Sequence, residues 1–202
     1  MSELTDDTYQ TVASASEGLY KEKGSRFLSF VYPVTSVEAV KSIVEDKRKL
    51  YHDARHVCYA YRVGYNGEDF RQNDDGEPSG TAGRPMYGCL LSHNLVNVLV
   101  VVVRYFGGVK LGVSGLANAY RQATEDALKH NEVQERTVDI EVEVTFDYLY
   151  LNEVMRIVKE MKPEIQRQQF EMSCRLSLSI RQRRVEALRT RLSQVPTLLF
   201  EN

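Results

Sequence analysis

Three carboxylates stand within four residues at Asp74, Asp75 and Glu77, and Ser79, Gly80, Thr81, Ala82 and Gly83 follow at once. These residue types support three kinds of chemistry. Clustered carboxylate oxygens are what magnesium takes. Free N–H groups at a helix start, with no bulky Cβ nearby, make an anion site. The hydroxyls of Ser79 and Thr81 are nucleophiles if a base stands beside them. The spacing limits each idea. NDDGEPSGTAGRP (73–85) lacks the GK[ST] of a phosphate loop and the GxSxG of a nucleophile elbow. Its acids repel a phosphate unless a cation bridges them. HDARH (52–56) adds His52 and His56 four apart, the interval of a zinc pair on a helix, but without the HExxH glutamate and where a helix gives way to a strand. The plainer reading packs one ring at the strand start and leaves the other in water.

A second Gly-rich joint, RYFGGVKLGVSG (104–115), lies between an apolar strand and a helix, flanked by Arg104 and Lys110. Its glycines allow a tight turn and close backbone approach. A strand-to-helix turn accounts for one such joint. Two joints in one domain, each following a strand, point to a recognition surface along one sheet edge. The C-terminal stretch SIRQRRVEALRTRL (179–192) supplies Arg181, Arg183, Arg184, Arg189 and Arg191 against Glu186. Arg181, Arg183, Arg184 and Arg191 are candidate phosphate contacts, Arg184 and Arg191 sharing one helical flank because they are seven apart. The alternative is a solvated helix face. Neither an RNP1 motif nor a KH-type GXXG loop occurs in this half, so sequence-specific RNA reading is not supported.

The elements that must position these residues follow from periodicity. Residues 1–25 are polar and read as a loosely held arm with a strand near Thr11–Ala13. FLSFVYPV (27–34) reads as a strand, and Thr35 with Glu38 has capping-box spacing for a helix bearing Val37, Val40, Ile43, Val44 and Leu50. HVCYAYRVGY (56–65) and EDFRQN (68–73) read as a hairpin about Asn66-Gly67. A short helix is expected over 83–91 and a doubly buried strand over 95–106. Ser114 is expected to cap a long helix that stops near His130-Asn131. After the charged junction VQERT (133–137) the pattern restarts: strand 138–146, a helix ending at Pro163, strands 164–172 and 174–180, helix 183–192 and strand 197–202. That order, β-α-β-β-α-β, is the ferredoxin-like plan. The expected domains are 1–134 and 135–202.

The chain has 202 residues, 43% hydrophobic and 27% charged, with net charge −2. That is ordinary for a soluble protein and gives no global pull toward nucleic acid or membrane. Cys58, Cys89 and Cys174 are odd in number and form no CxxC pair, so neither a disulfide framework nor a zinc knuckle is expected. The acidic start MSELTDDTYQ is no signal peptide, and LVNVLVVVV (95–103) is too short to span a bilayer as a helix. A cytoplasmic protein is expected.

DARH (53–56), NDDGEPSGTAGRPM (73–86) and VVVRYFGGVKLGVSGLANAY (101–120) together resemble, in order and spacing, the IMPACT/YigZ family (UPF0029). The specific likeness spans about residues 15–130. The resemblance implies an α+β protein: an N-terminal ribosomal protein S5 domain 2-like domain, then a ferredoxin-like domain similar to domain V of elongation factor G. Eukaryotic relatives regulate translation through the activator of an initiation-factor kinase, using a further N-terminal domain that this chain is not expected to have. Bacterial members look translation-associated or nucleic-acid-binding. The residues mapped as the family's common surface are Asp53, Arg55, His56, Asp74, Asp75, Glu77, Ser79, Thr81, Arg104 and Lys110. The resemblance carries over no catalytic residue, and no cofactor is expected. The expected partner is a ribosome or RNA, or a protein. The alternative is a small-molecule or nucleotide-dependent enzyme built on His52/His56 and Asp74/Asp75/Glu77.

Overall fold

The apolar run around residue 100 organises the first half of the chain. In a computed structural model, which describes residues 7–201, it forms β6 (Val98–Tyr105), buried on both faces. The preceding elements are β1 (Thr8–Val12), β2 (Ser16–Glu22), β3 (Ser25–Pro33), α1 (Val37–Leu50), β4 (His56–Val63), β5 (Asp69–Asn73) and α2 (Gly83–Ser92). After β6 come α3 (Gly112–Lys129) and β7 (Val133–Thr137). Five strands join in the order β2-β3-β6-β4-β5, each neighbouring pair antiparallel. Alternation along β6 divides the core. Val98, Val100 and Val102 pack with Met86, Leu90, Tyr120 and Ala123 of α2 and α3, while Leu99, Val101 and Val103 pack with Val40 and Val44 of α1. Nothing polar interrupts β6 until Arg104.

The second half holds β8 (Asp139–Asp147), α4 (Leu151–Met161), β9 (Glu164–Gln169), β10 (Ser173–Arg181), α5 (Val185–Leu192) and β11 (Leu199–Glu201). Its sheet runs β11-β8-β10-β9. One face is wet: Arg175, Ser179 and Arg181 of β10 alternate with buried Leu176, Leu178 and Ile180. The described chain divides into two compact units. One runs from Tyr9 to Arg136. The other takes Thr137 onward, and Asp7 and Thr8 belong with it. Both are α+β. Among the described residues no helix is long and apolar enough to cross a membrane.

Several local expectations are corrected. Within the expected loose arm, residues 16–22 are the edge strand β2, joined to β3 by the two-residue turn Lys23-Gly24, both at positive φ (46° and 79°) as a primed hairpin turn requires. Residues 1–6 of that arm lie outside the described residues. Ser36, not Thr35, caps α1, its hydroxyl accepting from the Ala39 N–H. The loop between β4 and β5 has five residues, from Gly64 to Glu68, rather than a two-residue Asn-Gly turn. Ser114 does not cap α3, which starts at Gly112 behind Leu111 without a side-chain cap. The charged stretch Val133–Thr137 is a strand paired with β1. Arg183 and Arg184 sit on a 3-10 turn (Gln182–Arg184) ahead of α5.

Candidate functional site

β6 ends with its one buried cation. The Arg104 guanidinium lies between the rings of Phe27 and Phe106, 5.4 and 5.6 Å from their centroids. Its Nη1 donates to Glu77 Oε1 at 2.5 Å, and both side chains are buried. Two charges out of water need each other: either alone is a heavily penalised buried ion. The Tyr120 hydroxyl, from α3, donates to the same Glu77 oxygen at 2.9 Å, and His56 Nε2 stands 3.9 Å from it. Burial first, and then the neighbouring Cys58 and Glu77, push the Tyr120 phenol far above its ordinary range, so it stays a neutral donor.

The acids of NDDGEP hold this arrangement in place. Asp74 accepts hydrogen bonds from the backbone N–H groups of Gly80, Ala82 and Gly83 at 2.8–2.9 Å. It thereby caps α2, whose N-cap residue Ala82 has no side chain able to do so. Asp75, at φ 42°, accepts from the Val57 N–H at 2.7 Å and pairs with Arg48. Its carbonyl meets His56 Nδ1 at 2.8 Å. Left-handed Asp75 and Gly76 turn the chain so that Glu77 enters the interior. Two of the three carboxylates are thus engaged by backbone amides and the third by Arg104. Among the described residues no group of three or more His, Cys, Asp or Glu is placed to hold a metal ion.

The other mapped positions separate. Arg55, His56, Glu77, Arg104 and Lys110 line one open cleft of about 460 Å³, with Phe106, Leu111, Val113 and Leu116 as its apolar wall. Asp53 stands elsewhere, accepting from the Tyr105 hydroxyl at 2.8 Å and thereby raising that phenol's pKa. Thr81 is buried, its hydroxyl donating to the Pro78 carbonyl at 2.6 Å, and Ser79 is exposed. His52 is exposed and is not brought to the cleft. Arg55 and Lys110 are exposed and have no ion pair among the described residues, so they are the uncompensated charges of the site. Sequence reasoning missed Phe106 and Tyr120. Phe106 carried a signal: an aromatic set directly before two glycines, where no core position follows it.

In the second unit, Arg181 grips Asp7 through Nε (2.7 Å) and Nη2 (2.9 Å). Arg183 stands 3.8 Å from the same carboxylate and is more than half exposed. Arg184 donates to the Met161 carbonyl at 2.6 Å, and Arg191 pairs with Glu160. Arg181 closes β10 and Arg191 lies in α5, so the four arginines do not form one helical stripe.

Residues 23–128 match the Impact N-terminal domain, a span that contains the two Gly-rich joints and the whole cleft. IMPACT family member YvyE of Bacillus subtilis is 36% identical over 153 residues, covering 76% of this chain and 70% of that one. An IMPACT family member of Haemophilus influenzae is 32% identical over 174 residues, covering 85% and 84%. A crystal structure of a hypothetical protein superposes with TM-score 0.76 at 28% identity, over 97% of each chain. With more than half the sequence matched by the domain model and relatives aligned over most of their length, the chain belongs to the IMPACT family.

Proposed function

We propose that this protein is a translation-associated binding protein that contacts a ribosome or another structured RNA through the cleft face of its N-terminal unit. The observation that carries the proposal is the pair of unpaired cations, Arg55 and Lys110, at one cleft beside Arg104 in a chain of net charge −2. Phosphate contacts of this kind supply most sequence-independent affinity. Arg183, more than half exposed and only loosely paired with Asp7, is a secondary phosphate contact; Arg181, Arg184 and Arg191 are held by closer partners within the chain. We also propose that the N-terminal unit is of the ribosomal protein S5 domain 2-like kind and the C-terminal unit ferredoxin-like, the pair corresponding to domains IV and V of elongation factor G. The order β8-α4-β9-β10-α5-β11 supports the second assignment. Three buried, unpaired thiols suit a reducing compartment such as the cytoplasm.

The test is co-sedimentation with ribosomes and separated subunits across a salt series. Retention should fall steeply with salt. The double variant Arg55→Glu/Lys110→Glu should reduce the log–log salt slope by about two, one per lost phosphate contact. An unchanged slope removes the cleft face from the interaction. Absence of retention at low salt rejects the ribosome as partner.

A further inference from the structure

The two walls of the cleft differ in chemistry, and the difference specifies a ligand. On one wall Arg104 and Glu77 cancel each other, which leaves Arg55 and Lys110 as net positive charge. On the other wall Phe106 is 47% exposed and Val113 66% exposed, although both border a hydrophobic interior. Between them begins α3, 18 residues long, with no side-chain cap and no acid in its first turn. Its first residues, Gly112 and Val113, line the cleft, and this turn brings no carboxylate of its own to compete with an anion there. Gly112 sits there at φ 73°, and a Cβ added to it meets no atom within 4 Å, so the approach to the helix start is open. A second observation is independent of the helix. Arg104 is buried, yet its Nε–H has no acceptor. Orphaned charged donors are rare and mark places where an acceptor from outside belongs.

An anion seat beside an exposed ring matches a phosphate joined to a flat apolar group. We infer that the cleft binds one nucleotide, its phosphate held by Lys110, Arg55 and the start of α3, its base laid against Phe106 and Val113. About 460 Å³ is within the range of small-ligand sites and too narrow for a duplex. The inference rests on the RNA-contact proposal and sharpens it: the strand is met at a single unstacked nucleotide, as single-stranded RNA is usually bound. A free nucleoside monophosphate presents the same chemistry.

The experiment is fluorescence anisotropy of 5′-labelled hexaadenylate RNA with the full-length protein. AMP, adenosine and inorganic phosphate serve as competitors. Saturable binding is expected, with AMP competing at least tenfold better than adenosine or phosphate. Phe106→Ala should weaken binding about tenfold with the salt slope unchanged, the effect of losing one base stack. Lys110→Gln should lower the slope by about one. Val113→Glu, at an exposed position, should abolish binding by replacing the apolar contact for the base with a carboxylate. Arg121→Gln, a cation outside the cleft, should change nothing. A hexamer that binds more than tenfold better than AMP identifies an RNA strand as the source; equal affinity identifies the free nucleotide. No saturable binding of any probe, or binding indifferent to both Phe106→Ala and Val113→Glu, overturns the inference. If ribosomes are retained in either of those cases, the RNA-contact proposal stands without it. If AMP binds and ribosomes are not retained, only the ribosome proposal falls.

Discussion

Asp74 illustrates how far a residue's chemistry depends on backbone it cannot announce. Beside Asp75 and Glu77 its carboxylate looks like a metal ligand. The backbone from Gly80 to Gly83 instead delivers three N–H groups to it, and the charge is spent on starting α2. Asp74→Ala should destabilise the protein by about 2–3 kcal/mol, since hydrogen bonds to charged groups are the stronger kind and the amides are left unsatisfied. Urea denaturation measures this, and a loss below 0.5 kcal/mol, the roughly neutral range for surface changes, refutes the capping role. The thiols give a second residue-scale prediction. Burial pushes Cys89 up to about 12 and Cys58 higher still, and Cys174 is buried. At pH 8 the buried Cys89 thiol is therefore protonated, and so a poor nucleophile. A thiol-specific chromogenic reagent should titrate none of the three cysteines in the native protein and all three in denaturant. The Arg104–Glu77 contact was legible only as two candidate positions, because nothing local in the sequence says that residues 27 apart share a proton-bearing contact.

Elements with one buried face were readable, and elements at polar edges were not. β8 and the apolar stripes of α1 and α4 follow the periods 2 and 3.6 that one buried face imposes, and β6 reads as the unbroken apolar run of a strand buried on both faces. β2 buries only Ser16 and β7 buries nothing, so their sequences carry little apolar alternation, and the partner of β7 lies far away in the chain. Helix starts failed for a related reason: at Ser36 a competing cap lay next door, and at Gly112 the turn after Phe106 set the start. Gly107 shows such a distant constraint directly. A Cβ placed there would lie 1.9 Å from the carbonyl carbon of Gly24 and 2.1 Å from the Ser25 nitrogen. Gly108 has open space but a φ of 88°. Gly107→Ala should therefore cost about 2–3 kcal/mol by forcing backbone apart, and Gly108→Ala only about 1 kcal/mol through its dihedral. The reverse ranking in thermal denaturation would show that β6 and the Lys23-Gly24 turn are not locked together.

At the scale of the whole molecule, the first described residue belongs with the last-made unit. Asp7 is buried, accepts two N–H groups from Arg181 and one from the Arg183 backbone, and gives its carbonyl to Val138. No local pattern in the sequence foretells this, since the partners are 174 residues apart. Asp7→Ala removes the buried carboxylate that Arg181 grips and should destabilise the second unit by about 2–3 kcal/mol, less than a fully buried pair because Arg181 is partly solvated. Hydrogen exchange locates the effect. Leu176 and Leu178 amides should lose protection while those of Val100 and Val102 keep it; equal loss in both sheets contradicts the assignment.

The same tie between Asp7 and Arg181 sets a timetable for synthesis. At 5–20 residues per second, the Asp7 carboxylate is made roughly 9–35 s before the Arg181 guanidinium that grips it. The five-stranded sheet can close within that interval, because β2 to β6 and α3 precede residue 130. The second unit cannot. A nascent chain halted between residues 147 and 173 therefore holds the strands of a finished first sheet and a β8 that lacks β10, its antiparallel partner, which gives proteases and chaperones a physical means of telling a truncated product from a complete one.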